Sequence, residues 1–451
     1  MTVLSQLTAL GLFDARVPRY TSYPTAPHFS GRVNADDLCA WIGAVPEGAR
    51  ISLYVHIPFC RRLCWFCACR TQGTATGAPL AGYLDSLEAE LALLGEILPA
   101  GVTLSRLHLG GGTPTLLDPD QIRRLTGAIY AVVPRAPGSE VSVEIDPNEI
   151  GAPRLDALAE AGLTRASVGV QDFDPEIQET IGRLQSYEAT LTAVDGLRAR
   201  GVASLNADIL YGLPHQTPAR IADSVQKLLS LSPDRVALFG YAHVPWMARR
   251  QSVIPTDALP TPQQRFELFR TARQLFLWDG YGEIGIDHFA RPGDGLDIAR
   301  RKGTLRRNFQ GYTDDDAQVL IGLGASAISR FPQGYAQNAP ATSDYQALVR
   351  DGGFATARGH AFSDEDRLRG AAIEALMCDF AADATRLARR TGLPESRFAA
   401  LLAELPRAFP GLLDHEAGRV RIPPDVRPLT RVIARALDAY AVSPTGHSLA
   451  V

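Results

Sequence analysis

Four cysteines lie within ten residues of the sequence, at Cys60, Cys64, Cys67 and Cys69. Disulfide bonds explain them poorly, because neighbours this close would form small strained loops and because nothing in the sequence indicates export to an oxidising compartment. Clustered thiols in such a chain are more typical of metal binding or redox chemistry. The sequence therefore predicts a metal or redox centre on this short run.

The spacing of the cysteines narrows the kind of centre. Thiolates are soft ligands that select zinc or iron-sulfur clusters. A four-iron cluster held by three protein thiolates keeps one iron open to a further ligand. A structural zinc site usually pairs two ligand couplets across a longer loop, which this single run lacks. By spacing alone, a closed four-cysteine electron-transfer cluster stays an alternative, although the run matches neither common ferredoxin spacing.

The two other cysteines and the bulk composition add no further chemistry. Cys39 and Cys378 fall in helical stretches, where lone cysteines usually behave as small buried hydrophobes. Lys and Arg total 45 against 49 Asp and Glu, so no basic excess favours nucleic acid or anionic lipid. No apolar run approaches the ~20 residues of a membrane span, and the N-terminus lacks a secretory signal. We expect a cytoplasmic protein without a membrane span.

The cysteine run follows the first of six predicted strands. From Ile51 onward, β-branched and aromatic runs alternate with segments of helical period, as in repeated strand-helix units. The strands are predicted to begin near Ser52, Ser105, Val141, Arg165, Leu205 and Arg235. Polar or glycine-rich residues follow each strand, and ligands bind at the carboxyl ends of strands in such folds. The predicted fold class is α/β, a partial (β/α)6 TIM-like barrel.

The segments on either side of the predicted barrel differ from it in composition. Residues 1–49 contain PRYTSYPTAPHF, rich in proline and aromatics, which we expect to form an N-terminal extension or lid. The barrel is expected to occupy residues 50–335. Residues 336–451 have helical period, a short strand-like RVRIP and a last helix near Val432 to Ala441, which predict a mainly helical, winged-helix-like domain. Because this domain is not basic, a structural or substrate-capping role is favoured over DNA binding.

A glycine turn after the second predicted strand is the next motif. GGGTPT follows the strand SRLHL, and glycines let backbone amides approach a polar ligand closely. A C-x-x-x-C-x-x-C loop after the first strand, followed by this turn after the second, resembles the radical S-adenosylmethionine superfamily. The resemblance implies that S-adenosylmethionine chelates the open iron. It further implies that the reduced cluster splits this ligand into methionine and a 5′-deoxyadenosyl radical, which abstracts hydrogen from substrate.

A longer series of motifs narrows the resemblance to the oxygen-independent coproporphyrinogen III oxidases. The motifs span nearly the whole chain and include PRYTSYPTA, HLGGGTPT, GVQDF, NADILYGLP, RRNFQGYT and YAQN. The resemblance implies one [4Fe-4S] cluster on Cys60, Cys64 and Cys67, with Cys69 as an additional cysteine that is not a ligand. It also implies two S-adenosylmethionine molecules side by side. Leu109 stands where relatives commonly have tryptophan, a departure that leaves the glycine turn intact.

The resemblance also assigns contacts residue by residue. The cluster-bound S-adenosylmethionine is expected to contact Tyr54, Gly111, Glu144 and Ile328. The second molecule is expected to contact Phe66, Gly112, Thr113, Gln171, Arg183, Asp208 and Ala242. The catalytic candidates are Tyr54, Glu144, Phe309 and Gln310. Carboxylates at strand ends of a barrel are costly to bury without a ligand or partner, which favours a functional role for Glu144 and Asp208.

The activity implied is the oxygen-independent oxidative decarboxylation of coproporphyrinogen III to protoporphyrinogen IX in haem biosynthesis, by hydrogen abstraction from two propionate side chains. From side-chain chemistry, Arg19, Arg183 and Arg291 are candidate partners of the four substrate carboxylates. An electron donor such as flavodoxin or ferredoxin and a monomeric state are expected. Three strand histidines are expected to be hydrogen-bonded core residues rather than metal ligands: His56, His108 and His288.

The alternative is the related haem chaperone, which binds haem and a cluster without decarboxylating anything. The two families share the cysteine loop and the glycine turn. The chaperone generally lacks the PRYTSYPT extension and has an aromatic residue at the position of Cys69. Both features favour the oxidase.

Overall fold

The six strands predicted from the sequence are consecutive neighbours in one sheet of the computed structural model, which describes residues 7–440. Residues 1–6 and 441–451, including the predicted end of the last helix at Ala441, lie outside the described part. The six strands and the two short strands of the cysteine loop are β1 (Arg50–Ile57), β2 (Phe59–Cys60), β3 (Gln72–Gly73), β4 (Thr103–Gly111), β5 (Arg135–Ile145), β6 (Arg165–Gln171), β7 (Ser204–Tyr211) and β8 (Arg235–Gly240).

Short strands and helices make up the rest of the described chain. The later strands are β9 (Gly282–Ile284), β10 (His288–Ala290), β11 (Arg306–Asn308), β12 (Gly311–Thr313), β13 (Leu320–Leu323), β14 (Ile328–Phe331), β15 (Gly334–Asn338), β16 (Thr356–Ala361), β17 (Ala381–Asp383), β18 (Asp414–Glu416) and β19 (Arg419–Arg421). The α-helices are α1 (Ala35–Gly43), α2 (Ala78–Ile97), α3 (Pro119–Val132), α4 (Ala152–Glu160), α5 (Pro175–Thr180), α6 (Tyr187–Arg198), α7 (Pro218–Ser230), α8 (Pro262–Trp278), α9 (Gly295–Lys302), α10 (Thr342–Arg350), α11 (Asp364–Asp379), α12 (Ala384–Thr391), α13 (Glu395–Leu402), α14 (Glu404–Ala408) and α15 (Thr430–Arg435).

The main sheet has twelve strands in the order β16-β15-β14-β13-β1-β4-β5-β6-β7-β8-β10-β9. The central strands from β13 through β1 and β4 to β8 are parallel to their neighbours, and antiparallel strands extend both edges. The fold is therefore α/β with a large, mostly parallel sheet. Because the central strands point the same way, the loops that carry the motifs leave the sheet at one edge.

Two boundaries differ from the simplest sequence pattern. β5 begins at Arg135, well before the predicted start at Val141, and its pairing with β4 is irregular between Leu104 and Arg106. Such an irregularity interrupts the alternation that identifies a strand in a sequence. The sheet also continues through β16, past residue 335, where the sequence analysis ends the barrel. The domain limits stay a prediction.

Helices cover the sheet with continuous apolar stripes. On α2, Leu84, Leu87, Leu91 and Leu94 are almost fully buried, and their three- and four-residue spacing places them on one face. Packing of this kind fixes the carboxyl ends of the strands, from which the loops with the motifs leave. None of the helices in residues 7–440 has the length and apolarity that crossing a membrane requires.

The N-terminal extension and the last helices share a second hydrophobic core. Leu12 and Phe13 pack in the same cluster as the helices α11 to α15. The Tyr20 hydroxyl donates to the Asp438 carboxylate at 3.0 Å, which ties the PRYTSYP run to the end of the described chain. The last helix begins at Thr430 and ends at Arg435, earlier than the sequence pattern indicates.

Candidate active site

Cys60, Cys64 and Cys67 lie on the loop between β1 and α2, at the carboxyl edge of the parallel strands. Cys60 ends β2, whose parallel pairing with β3 closes the base of the loop. As residues, these three cysteines are partly buried and Cys69 is exposed, although the Cys69 thiol turns inward to Cys67. Within residues 7–440, no three Cys, His, Asp or Glu side chains converge as ligands of one metal ion. The thiols of this loop are therefore spread along the chain rather than gathered around one metal ion.

The thiols of the loop differ in how readily they ionise. Burial raises the pKa of Cys60 to about 11. The Cys69 thiol hydrogen-bonds to Cys67, which lowers the pKa of Cys67 to about 6 and raises that of Cys69. The Cys69 backbone N–H also donates to the Cys67 sulfur at 3.4 Å. Hydrogen-bond donors around a sulfur stabilise thiolate, the form that binds iron, so this donor set suits an iron-sulfur cluster.

The glycine turn at the end of β4 packs directly on the start of the cysteine loop. The N–H groups of Gly112 and Thr113 donate to the carbonyls of Ile57 and Phe59, each at 2.8 Å. A Cβ on Gly112 would lie 2.5 Å from the Phe59 carbonyl oxygen, so a larger residue would force the turn away from the loop. The Thr113 hydroxyl also hydrogen-bonds to the Cys60 thiol. The glycines thus bring backbone amides beside the cysteines.

Tyr54 lies on β1, just before the cysteine loop. Its hydroxyl lies 2.9 Å from Nδ1 of His56, while Nε2 of His56 lies 3.2 Å from the Arg70 carbonyl. Because a carbonyl only accepts, Nε2 carries the hydrogen and Nδ1 accepts from Tyr54. Burial lowers the pKa of His56 and raises the pKa of Tyr54, which keeps both side chains neutral. This chain of hydrogen bonds joins β1 to the far end of the cysteine loop.

Glu144, near the end of β5, binds the glycine turn from the other side. Its carboxylate accepts from the Gly111 N–H at 3.0 Å and lies 3.3 Å from Nε2 of His108. Tyr54 stacks on the His108 ring with 5.7 Å between centroids. Burial alone would raise the pKa of Glu144, but the bonds from His108 and Gly111 lower it below its ordinary value. The half-buried carboxylate is therefore an anion that can accept from an ammonium or hydroxyl group.

Asp208 and Gln171 face the same edge from β7 and β6. The Asp208 carboxylate accepts from the Ser167 hydroxyl at 3.2 Å and from the Asn206 amide at 2.8 Å. Burial, with Glu144 as a neighbouring negative charge, raises the pKa of Asp208. Gln171 ends β6 with φ +69°, a left-handed conformation that is costly for a residue other than glycine. The strained backbone of Gln171 and the carboxyl groups of Asp208 and Glu144 thus lie at positions predicted to contact S-adenosylmethionine.

Arg183 reaches from the loop after α5 to the cysteines. Its guanidinium donates to the Cys64 sulfur at 3.5 Å, to the Asp146 carboxylate at 3.3 Å and to the Gly169 carbonyl at 2.8 Å. Its buried Nε has no partner among the described residues. Arg183 therefore lies beside the cysteine loop, and its Nε–H remains available as a donor. Its guanidinium is already paired with Asp146, a residue that the sequence did not point to.

Gln251 is a buried residue of this site that sequence reasoning missed. Its amide donates to the Phe66 carbonyl at 2.7 Å and to the Ala242 carbonyl at 3.1 Å, and its oxygen accepts from the Val244 N–H at 2.6 Å. Gln251 is fully buried. It therefore fastens the cysteine loop at Phe66 to the loop after β8 at Ala242. No sequence signal marks it, since its partners are backbone groups distant along the chain.

Ile328 begins β14, which is separated from β1 by the single strand β13, on the side away from β4. Gly322 of β13 pairs with Tyr54, and a Cβ on Gly322 would lie 2.8 Å from the backbone of Ile328. The absence of a side chain at Gly322 lets Ile328 approach the strand that carries Tyr54. Ile328 and Tyr54 are therefore brought together across one intervening strand.

Phe309 and Gln310 form the tip of the hairpin between β11 and β12. The Phe309 ring packs edge-on against Tyr335 of β15, with 5.6 Å between centroids, and against Phe29 of the N-terminal extension at 6.5 Å. The Gln310 side-chain oxygen is buried without a partner among residues 7–440. Phe309 therefore contacts the N-terminal extension, and Gln310 is its neighbour at the hairpin tip.

The arginines suggested for substrate carboxylates lie in different places. Arg19 donates to the Gly240 carbonyl at the carboxyl end of β8, at 2.6 Å. Arg291 follows β10, which runs antiparallel to β8, and its backbone N–H bonds to the Asp234 carbonyl at the opposite end of that strand. The Arg291 side chain donates to the Tyr281 hydroxyl at 3.0 Å. Arg291 is therefore at the wrong edge of the sheet to bind substrate beside the cysteines.

The chain is similar to known proteins along almost its whole length. The model of the radical SAM superfamily matches residues 54–228. An oxygen-independent coproporphyrinogen III oxidase of Paracoccus denitrificans is 64% identical over 447 residues, which cover 99% of each chain. The protein of that name from Escherichia coli K12 is 39% identical, covering 94% of this chain and 93% of its own. A solved structure of coproporphyrinogen III oxidase from Escherichia coli, described as a radical SAM enzyme, is similar with a TM-score of 0.89 at 37% identity, covering 95% of this chain and 100% of that one.

Proposed function

The chain belongs to the oxygen-independent coproporphyrinogen III oxidases, within the radical SAM superfamily, and on this premise we propose how its own residues perform the reaction. The activity is the oxidative decarboxylation of coproporphyrinogen III to protoporphyrinogen IX in haem biosynthesis. A [4Fe-4S] cluster and S-adenosylmethionine are the cofactors. Together they supply a 5′-deoxyadenosyl radical that abstracts hydrogen from a substrate propionate.

The cluster is held by Cys60, Cys64 and Cys67, with Cys69 outside the ligand set. The support is that Cys60, Cys64 and Cys67 are partly buried residues of one loop, whereas the Cys69 thiol is engaged in a hydrogen bond to Cys67. Hydrogen-bond donors stand beside two of these sulfurs, the Arg183 guanidinium at Cys64 and the Cys69 N–H at Cys67. Three ligands leave one iron for S-adenosylmethionine.

The cluster-bound S-adenosylmethionine contacts Tyr54, Gly111, Glu144 and Ile328. The observation that carries this proposal is the Glu144 carboxylate, kept anionic and fixed to the Gly111 N–H at 3.0 Å, beside the cysteine loop. An anion held there can accept from the ammonium or a ribose hydroxyl of the ligand. Tyr54, which stacks on the His108 ring, lies next to this carboxylate.

A second S-adenosylmethionine lies beside the first, in contact with Phe66, Gly112, Thr113, Gln171, Arg183, Asp208 and Ala242. Arg183 supports this proposal, because it brings a buried guanidinium donor to the cysteine loop, where a methionyl carboxylate could pair with it. Gln251 supports it by holding Phe66 and Ala242 in one place. Two molecules match the two propionates that react.

The surrounding architecture shields the radical from water. We assign the central strands and their helices to a partial (β/α)6 barrel over residues 50–335, residues 1–49 to a lid, and residues 336–451 to a winged-helix-like domain. Phe309 and Gln310 act at the substrate, since their hairpin contacts Phe29 of the lid. Water exclusion protects a reactive intermediate from side reactions.

The remaining partners follow from the chemistry. The substrate is coproporphyrinogen III, and the cluster takes its electron from a flavodoxin or ferredoxin. The protein acts as a cytoplasmic monomer without nucleic acid. The absence of a nucleic-acid partner is supported by the charge totals, because 45 Lys and Arg against 49 Asp and Glu leave no basic excess.

Anaerobic turnover tests the function. The reconstituted holoenzyme with coproporphyrinogen III, S-adenosylmethionine and a reductant should release carbon dioxide and protoporphyrinogen IX. Glu144→Gln should keep its iron but lose about tenfold or more in 5′-deoxyadenosine release at low S-adenosylmethionine, because the ligand loses a charged acceptor. Glu160→Gln, an exposed carboxylate on α4, is the matched control. Haem binding without any carbon dioxide release would instead identify a haem chaperone.

A further inference from the structure

A cavity of about 400 Å³ opens beside the carboxyl ends of β7 and β8. Tyr211 and Gly240 form its wall on the sheet, α8 forms a second wall, and residues 424–431 of the C-terminal domain form a third. Six arginines line it: Arg19, Arg265, Arg270, Arg273, Arg427 and Arg431. The cavity therefore gathers positive charge from the N-terminal extension, the barrel and the C-terminal domain.

The acidic residues of the cavity neutralise only part of this charge. Glu283 pairs with Arg273 and, at 3.4 Å, with Arg427. Asp287 pairs with Arg307 outside the lining, at 3.7 Å, and with the His288 ring, and its charge also acts on Arg19 and Arg431 inside the cavity. Asp425 is the third acid. The cavity thus keeps an excess of arginine over carboxylate.

Three guanidinium groups of the cavity act on one another. Burial and the neighbouring Arg19 lower the pKa of Arg431 to about 9, and burial and Arg19 also lower the pKa of Arg265. Like charges brought this close are unfavourable, and a further anion bound between them would lower that cost. Arg265 also lies over the Tyr211 ring, 5.7 Å from its centroid, and Phe266 and Phe269 add apolar surface. The lining suits an apolar molecule that carries carboxylates.

We propose that this cavity binds the two propionates that the substrate keeps, with Arg19, Arg265 and Arg431 as their partners. The inference rests on the proposed function, which supplies a tetrapyrrole with four propionates, two of which survive. None of the residues assigned to the cluster or to S-adenosylmethionine lines the cavity. A propionate under attack must lie beside those residues, so a carboxylate in the cavity is one that does not react. Asp287 of the lining bonds to the His288 ring at 2.7 Å, and His288 lies near enough to Asp208 to affect the pKa of that carboxyl group. The cavity therefore adjoins the residues assigned to S-adenosylmethionine, and one substrate molecule spans both places.

The test is the affinity of the anaerobic holoenzyme for two fluorescent porphyrins. Coproporphyrin III carries four propionates, whereas protoporphyrin IX carries only the two that the reaction leaves. Arg265→Gln and Arg19→Gln should each weaken binding of both porphyrins about ten- to hundredfold, since each loses a charge-assisted hydrogen bond to a retained propionate. Arg291→Gln, an arginine at the opposite edge of the sheet, should bind both porphyrins like wild type.

Iron content and the midpoint of thermal unfolding show which variants are folded holoenzyme. Unchanged dissociation constants for both porphyrins in folded Arg265→Gln and Arg19→Gln would overturn the proposal. Weaker binding of coproporphyrin III alone would overturn it too, because the cavity would then hold the reacting pair. Carbon dioxide release by the wild type separates this result from the function itself. A wild type that binds porphyrin in the cavity without releasing carbon dioxide would refute the oxidase but leave the cavity assignment standing.

Discussion

The cysteine loop takes its chemical groups from ten consecutive residues, from Cys60 to Cys69, whereas the arginine cavity takes its groups from positions between Arg19 and Arg431. Both lie at the carboxyl edge of the same sheet. The loop can be identified in the sequence because its ligands must be close along one flexible turn. The cavity is visible only after folding, because each wall supplies one or a few arginines that look like ordinary surface residues.

This difference indicates how the two regions should respond to mutation. A local ligand set fails when one member is lost, since the remaining thiolates have no substitute. A site assembled from distant elements depends on the contacts that hold those elements together. Variants of the first region should therefore abolish function, and variants of the second should weaken it by steps.

Loss of Cys60 should have the largest effect. On the proposed ligand set, Cys60→Ser removes one of three thiolates and should lose most of the iron and all carbon dioxide release, because two irons would then lack protein ligands. Iron analysis and the visible spectrum of anaerobically reconstituted protein measure it. Cys39→Ser, on α1 and away from the loop, is the control and should keep its iron. An intact cluster in Cys60→Ser would remove that residue from the ligand set.

Loss of Gln251 should have an intermediate effect. Gln251→Ala leaves the Phe66 and Ala242 carbonyls and the Val244 N–H without their partner, and each unpaired buried group costs about 1–3 kcal/mol. We expect the KM for S-adenosylmethionine to rise about tenfold, more than kcat falls. Gln263→Ala, exposed on α8, should change neither. A lower midpoint of thermal unfolding with an unchanged KM would show that Gln251 stabilises the fold without positioning the ligand.

Replacement of Cys69 should leave the cofactor chemistry in place. Cys69→Ser should keep four irons per chain and still release 5′-deoxyadenosine when reduced, because S-adenosylmethionine takes the fourth iron. Decarboxylation should be slowed by this change only if the Cys69 thiol takes part in substrate chemistry. Iron content and 5′-deoxyadenosine are measured side by side with Cys60→Ser. Loss of the cluster from Cys69→Ser alone would reverse the ligand assignment.

The sequence predicts the parts of the fold that repeat and the parts of the site that are local. The alternation of strands and helices predicts the start of β6 at Arg165 and of β8 at Arg235, where the structure has them. β5 begins earlier than predicted because its pairing is irregular near Pro137 and Gly138, which breaks the pattern. A regular repeat of strands and helices can be recognised in a sequence, whereas an irregular strand cannot.

Features that depend on chain direction or on distant contacts are not visible in the sequence. Arg291 was a candidate partner of the substrate carboxylates from its side-chain chemistry alone, but β10 runs antiparallel to β8 and carries it to the opposite edge. Gln251 and Arg265 gain their surroundings from backbone and side chains far away in the sequence. Hydrophobic period and local motifs contain no information about those partners.

Glu90 is another buried residue whose partners are distant along the chain. It lies on α2 and accepts from the Gly324 N–H and the Tyr345 hydroxyl, each at 2.8 Å, and from the Asn338 amide at 2.6 Å. No cation pairs with it in these bonds. Burial raises its pKa from 4.5 to about 7, although the three hydrogen bonds oppose that shift.

Removal of the Glu90 charge should have the smallest effect, confined to the pH dependence of stability. The folded state binds the Glu90 proton more tightly than the unfolded state, so its contribution is complete below pH 4.5 and is lost as pH rises to about 7. That loss is up to about 3 kcal/mol of unfolding free energy. Glu90→Gln keeps an acceptor for Gly324 but has no proton to lose, so its midpoint of thermal unfolding should vary less between pH 5.5 and 8 than the wild-type midpoint. Glu96→Gln, exposed on the same helix, should follow the wild type. Equal pH slopes in wild type and Glu90→Gln would show that Glu90 stays ionised in the fold throughout this range.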